Sequence, residues 1–355
     1  MNEHLPAIEN AEGLTQASTS DLEGHCGWSR TFRKGRMSLG FFFPIEAFTG
    51  DMPALDRPEV LARSADEAGY AALWVRDVPI RDPHFGDVGQ IMDPWVFASW
   101  IAAHTSRIAI GTGSVILPLR PTMDMAKASA SLDCMSGGRL LFGVASGDRP
   151  SEFPLYGRDH SLRGDDFRRS VEEVRDLHQN LGPLEMARRL SGTPLELLPR
   201  PPAGRVPLLV TGFAQQALDW IALHADAWMT YPREASAQAQ TINRWNEAVQ
   251  SVCGRRMHKP VMQSLYIDLL PEADAAPRPM HLGLRLGRTA LVALLSRYQA
   301  VGVGHTAFNL KYGSRDARSV MDELTEHVLP HFLIEPWSSD LPDGRPTPRS
   351  RYGLT

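Results

Sequence analysis

Four short polar stretches follow apolar runs of strand length, and each carries groups able to hold or orient a ligand. They are Arg76-Asp77, Gly113-Ser114, Ser146-Gly147-Asp148-Arg149, and Gly212-Phe213 with Gln216. An arginine beside an aspartate at a strand exit can orient a polar oxygen of a substrate, or the two can serve as structural ion-pair members. Backbone N–H groups around Gly212, Phe213 and Gln216, ahead of a helix beginning near Gln215, can hold a phosphate without a basic side chain. The plainer alternative makes Gly212 a turn glycine. Arg149 can add charge to such a site, or pair with Asp148 or Glu152 on the surface. Arg285 and Arg288, one turn apart at a helix start, form a rival anion site or a solvated basic helix end. His84 and His160 fall in loops able to face a substrate, whereas His224, His258 and His327 read as structural or solvated. No His or carboxylate spacing matches a metal site, so the metal expectation is none. GTGSVIL from Gly111 lacks the third glycine of a dinucleotide fingerprint, and no lysine-bearing phosphate loop occurs.

These stretches need elements to position them, and the chain supplies a regular alternation. Strands are predicted at 39–43, 70–75, from 108, at 140–145, 206–210, 227–231, 261–270 and 306–310. Helices are predicted at 57–68, 94–104, 122–135, 163–180, 215–224, 237–252, 284–299 and 317–329. The run Leu140–Ala145 is apolar throughout, as expected of a strand covered on both faces. Eight strands alternating with helices predict an α/β fold, the (β/α)8 TIM barrel, with 147–163, 181–205 and 271–283 as insertions over the catalytic face. A weak internal likeness agrees: Arg107, Arg139 and Arg205 each precede a buried strand that leads to a glycine. A two-domain doubly wound protein is the competing architecture, and no clear linker divides the chain. Residues 1–36 lack periodicity and read as a disordered or loosely docked arm, 37–335 as the barrel, and 336–355 as a tail.

Composition narrows the class. The 355 residues are 43% hydrophobic, ample for a core, and a net charge of −4 gives no general reason to expect nucleic acid. Three widely spaced cysteines argue against a disulfide framework and fit a reducing, cytoplasmic compartment. No apolar run approaches the roughly 20 residues of a membrane span, and no secretory signal is evident at the start. Phe42, Phe43, Trp95, Tyr231 and Phe308 can make a pocket aromatic or belong to the core.

GTGSVILP from Gly111, Leu132–Gly147 with its SGGR turn, VTGFAQQ from Val210 and ADAW from Ala225 together resemble the luciferase-like flavin oxidoreductases, in the same order and over about 39–332. LWVRDVP at 73–79, SGDRPSEF at 146–153 and TYPR at 230–233 resemble a bacterial subgroup of poorly defined substrate. The resemblance implies a TIM barrel that binds FMN, or a deazaflavin in some relatives, and that dimerises. It implies cofactor contacts at Gly113, Ser114, Ser146, Gly147, Asp148, Arg149, Gly212, Phe213 and Gln216. Gly113-Ser114 falls where relatives hold a cis non-prolyl peptide under the ring, and Phe213 stands where relatives often have a hydroxyl. At the second strand exit many relatives place an acid followed by His; here Asp77 is followed by Val78, so Arg76 and Asp77 are the remaining catalytic candidates. The implied activity is a monooxygenase using O2 and reduced FMN from a separate flavin reductase on a small-molecule substrate. The alternatives are a deazaflavin-dependent dehydrogenase, a flavin-binding protein without turnover, and a phosphate-binding lyase or isomerase using Arg285 and Arg288.

Overall fold

The computed structural model describes residues 22–50, 52–82, 84 and 92–333. Its strands are β1 (Ser38–Phe42), β2 (Ala72–Val75), β3 (Ala109–Thr112), β4 (Val115–Ile116), β5 (Leu140–Ala145), β6 (Leu208–Thr211), β7 (Ala227–Thr230), β8 (Val261–Leu269), β9 (Arg278–Met280), β10 (Gly283–Leu286) and β11 (Val303–Asn309). Eight of them, β1, β2, β3, β5, β6, β7, β8 and β11, pair in that cyclic order, and β11 closes on both β8 and β1. Every stave-to-stave pairing is parallel, with helices between the strands, so the chain is a closed TIM barrel.

Alternation along each stave sorts the side chains into two cores. Leu73, Val75, Phe142 and Val144 point outward among helix residues such as Phe97, Ile101, Phe167 and Val171. Ala72, Trp74, Leu141, Leu209 and Met229 point inward and fill the barrel. The Trp74 ring fits the interior because its partner on the neighbouring strand is glycine: a Cβ on Gly111 would stand 2.1 Å from that ring. Beside the arginines that precede the buried strands, a buried aspartate takes the backbone N–H at each strand start, while Arg139 itself donates to the Ser136, Ile108 and Ala102 carbonyls. Asp66 accepts from the backbone N–H of Ile108 at 2.7 Å, Asp133 from Leu140 at 3.1 Å and Asp226 from Leu208 at 2.8 Å. Arg205 pairs with Asp226 at 2.7 Å. Each carboxylate bolts the end of one helical connection to the start of a stave.

Of the stretch 1–36 that reads as a disordered or loosely docked arm, residues 22–32 pack onto the barrel, while 1–21 and the tail 336–355 lie outside the described residues. Leu22, Trp28 and Phe32 join the interior core, and the helix Cys26–Thr31 closes the amino-terminal end of the barrel. Arg30 donates to the Tyr70 carbonyl at 3.0 Å, and His25 meets Asp133 at 3.0 Å. Two other expectations change. Residues 182–205, read as a connection, contain the helix Pro183–Ser191, and the helix expected from Leu284 starts at Arg288 because 283–286 form β10. Gly287 separates the two; a Cβ there would lie 2.3 Å from the Glu272 and Ala273 carbonyl oxygens.

Candidate active site

The carboxyl ends of the staves converge on one mouth. Its lining runs through Phe42, Arg76, Gly113, Thr211, Met229, Thr230, Tyr231, Met262, Ser264, Tyr266, Leu282 and Asn309, so every stave except β5 contributes. The empty space between these residues, counted together with the solvent at its open end, is about 580 Å³. Phe42, Met229 and Met262 make an apolar floor, continuous with the buried interior. Gly113 is pressed against that floor, since a Cβ on it would come within 2.6 Å of the Phe42 ring. The peptide between Gly113 and Ser114 is cis. Ser114 Oγ hydrogen-bonds Thr211 Oγ1, which joins the exits of β3 and β6 beside the Met229 sulfur.

Arg76 lines the mouth, and Asp77 does not. The Asp77 carboxylate is fully enclosed. It accepts from both Arg120 nitrogens, Nη2 at 2.8 Å, and from the Ile116 backbone N–H at 3.0 Å. Burial pushes this carboxyl up, against the pull of Arg120. The ion pair therefore ties the β2 exit to the loop after the cis peptide, and Asp77 holds the mouth in shape from behind it.

The residues immediately after β5 are not among those lining the mouth. Ser146 and Arg149 are buried, and Gly147, at φ +85°, fits between Ile116 and Phe153. Arg149 Nη1 lies 3.4 Å from Glu152 Oε1, the inward form of the pairing that the sequence left open as a surface contact. Glu152 is enclosed as well. Its Oε2 has no hydrogen-bond partner, and burial pushes the carboxyl up to about 7. Asp148 is exposed.

At the β6 exit the backbone curls, with positive φ at Gly212 (57°), Ala214 (46°) and Gln215 (61°). The space beside Gly212 is open: a Cβ there would meet nothing nearer than the Tyr231 ring at 3.9 Å. Gln216 is committed to holding this turn. Its Oε1 accepts from Arg168 at 2.9 Å, and its Nε2 donates to the Gly164 carbonyl at 2.8 Å. Phe213 is 55% exposed and stands edge-on to Trp228 at 5.7 Å. The helix beyond spans Leu218–His224, starting later than the sequence suggests, so the turn itself, not a helix start, borders the mouth.

The rival anion pair is used internally. Arg285 Nε lies 2.5 Å from Asp268, and Arg288 pairs with Glu323 at 2.8 Å. Among the aromatic candidates, Phe42 and Tyr231 line the mouth; Phe43, Trp95 and Phe308 pack against Phe97, Phe142 and Phe41 outside the staves. Met229, Met262, Ser264, Tyr266, Leu282 and Asn309 were not singled out in the sequence. For all but Leu282, which lies between β9 and β10, the signal was position on β7, β8 and β11, weakened because β8 runs on past the barrel rim. Among the described residues no cluster of His, Cys, Asp or Glu could hold a metal ion, and no helix is long and apolar enough to cross a membrane.

Comparison with known proteins adds the following. A family profile described as luciferase-like monooxygenase matches residues 37–334. The 4-hydroxyprotoasukamycin monooxygenase of Streptomyces nodosus subsp. asukaensis is 30% identical over 228 residues, covering 61% of this chain and 59% of that one, so the match spans under two thirds of that relative. An F420-dependent secondary alcohol dehydrogenase superposes with a TM-score of 0.67 at 16% identity, over 84% of this chain and 100% of the other. The oxygenating constituent of 3,6-diketocamphane monooxygenase of Pseudomonas putida, in complex with FMN, superposes with a TM-score of 0.61 at 12% identity, over 84% and 99%. At those identities the two structures share the fold.

Proposed function

The chain belongs to the luciferase-like monooxygenase family, and from that premise we propose an FMN-dependent oxidoreductase that oxygenates a small organic substrate with O2. The observation that carries the reading is the mouth itself: an apolar floor of Phe42, Met229 and Met262, flattened by Gly113 and rimmed by Thr211, Thr230, Asn309 and Arg76, with Ser114 bonded to Thr211. A flat tricyclic ring with polar edges suits that donor set. In this reading Phe42, Gly113, Ser114, Thr211 and Met229 hold the ring, and the backbone of 212–215 takes the phosphate, with Gln216 and Phe213 shaping the turn. A bound flavin supplies the electron transfer that activates oxygen.

The chain's own residues do the rest. The apolar floor and the Tyr266 and Leu282 wall keep water from the reacting face. Arg76 brings a positive charge to the mouth, where it orients an electron-rich oxygen of substrate or cofactor. Asp77 acts through Arg120 as a positioning residue. Ser146, Gly147, Asp148 and Arg149 support the mouth from the β5 side. With Val78 where relatives place His, a proton must come from another group or from water. A separate flavin reductase, a homodimer and a cytoplasmic setting complete the proposal.

Titration of the purified protein with FMN and with reduced FMN tests it: micromolar binding is expected, and its absence for both overturns the reading. The second reading, a deazaflavin-dependent dehydrogenase, is favoured by the likeness in fold to the F420-dependent alcohol dehydrogenase. A side-by-side titration with F420 separates the two, since the tighter partner identifies the cofactor.

A further inference from the structure

The hairpin β9–β10 lies in the 271–283 insertion and the three residues after it, and the functional reading leaves it unexplained. β8 continues past the barrel rim, and its residues 266–269 pair in parallel with β10. Met280 pairs with Gly283, so His281 and Leu282 form the tip. Leu282 lines the mouth and has φ +49°, a conformation that glycine adopts without cost and a branched apolar residue rarely takes. Its carbonyl accepts from the Tyr266 N–H at 3.1 Å. The root of the hairpin is fixed. A Cβ on Gly283 would lie 1.8 Å from the Tyr266 carbonyl oxygen, and the Arg285 ion pair holds Asp268, which also accepts from Ser314 N–H and Oγ at 2.8 Å each. Behind the tip, the Tyr266 and Tyr312 rings lie 5.2 Å apart at 31°, and His281 stands edge-on to both.

We propose that this hairpin is a fixed specificity wall, with Leu282 setting how large a flat aromatic substrate bearing a hydroxyl can lie against Tyr266. The proposal rests on the functional reading, which gives the β1, β3, β6 and β7 side to the cofactor ring. The β8 and β11 side, with Ser264, Tyr266, Leu282 and Asn309, is then left for the substrate: one aromatic face, one apolar stop, and two polar groups for one oxygen. A leucine kept in a left-handed turn is explained by the side chain it delivers, since glycine would relax the backbone and leave the wall open.

The test uses phenol, 1-naphthol and 9-phenanthrol, titrated calorimetrically into the full chain with and without oxidised FMN, for wild type, Leu282→Ala and Leu282→Gly. Both variants are expected to bind 9-phenanthrol about tenfold more tightly than wild type does, with phenol unchanged. Leu282→Gly is expected to melt about 2 °C above Leu282→Ala, because only glycine relaxes the positive φ. An unchanged ranking of the three phenols in both variants overturns the wall, as does decanal binding to wild type more tightly than any of the phenols. A wild type that binds no FMN overturns the functional reading separately, while the titrations without FMN still decide the wall.

Discussion

The interior histidine shows how one residue's protonation can be read from its neighbours. Trp74 Nε1 only donates, so His305 Nε2, 2.9 Å away, must accept. The single Ser38 hydroxyl proton goes to the Thr31 carbonyl at 2.7 Å, which leaves Ser38 Oγ to accept from His305 Nδ1–H at 2.7 Å. Protonating Nε2 would break the indole bond inside the barrel, and burial pushes this imidazole down to about 3. His178 and His224 are pushed by burial to about 4. An unfolded histidine takes a proton near pH 6.5, so below that pH the unfolded chain binds protons that the fold refuses. Stability from these groups should be flat above pH 6.5 and fall by several kcal/mol in sum towards pH 4, measurable by urea unfolding across that range. Glu152 has the opposite sign. Its carboxyl is raised from 4.5 to about 7, so the folded state holds the extra proton and stability falls as pH rises through that window. Glu152→Gln should therefore match wild type near pH 4 and exceed it by about 1–3 kcal/mol at pH 8. Equal unfolding midpoints at pH 8 would contradict the assignment. Of these partners only the Arg149–Glu152 pair, three positions apart, was legible in the sequence. Asp77 and Arg120, or Arg168 and Gln216, are more than forty positions apart, and spacing along a chain does not disclose which arginine a buried carboxylate will meet.

At the scale of elements the sequence was far more informative, for a physical reason. Parallel strands are covered on both faces, so their sequences are rich in apolar residues, most plainly in β5, and all eight staves overlap the strands predicted from them. The two misread stretches lack that signature. The helix Pro183–Ser191 has an apolar side, but it is only 9 residues long, buries only Leu184 and lies between Gly182 and Gly192 in a Pro- and Gly-rich stretch that reads as a connection. β10 and the following helix form one apolar stretch whose break at Gly287 is set by a backbone contact from 272–273. The strand exits that make the mouth were legible because they inherit the stave positions, whereas the hairpin residue Leu282 belongs to no stave. Close strand approach also gives a direct prediction. A Cβ on Gly143 would lie 1.9 Å from the Thr112 carbonyl oxygen, a backbone atom that moves only with β3. Gly143→Ala should cost at least about 2 kcal/mol, like other overpacked core sites. Gly157, at φ +65° with nothing within 4 Å of its added Cβ, faces only the backbone penalty. Gly157→Ala should lose about 1 kcal/mol, and chemical denaturation of the pair separates steric from conformational cost.

For the whole molecule, the two ends of the barrel divide stability from binding. The amino-terminal end is closed by the helix Cys26–Thr31, whose Trp28 is 5% exposed and packs against Phe32 with ring centroids 4.8 Å apart. The opposite end is the mouth, to which seven of the eight staves contribute, so a ligand there touches strands drawn from most of the chain. Unfolding any one of those staves would release the ligand, which makes the stabilisation global. At a hundred times its dissociation constant, FMN should add about 2.7 kcal/mol and raise a single melting transition by several degrees. Trp28→Ala removes a large side chain from the far end and should lower stability by about 3–5 kcal/mol. Because the substituted ring lies below the interior layer of Trp74 and His305, and the ligand above it, the two effects should add. The variant is therefore expected to melt well below wild type, to bind FMN within about twofold of the wild-type constant, and to gain the same increment from FMN. Differential scanning calorimetry with and without FMN reads all three quantities. An FMN affinity that falls in step with the loss of stability would mean that the mouth is not preformed by the closed barrel but assembled only as the plug seats.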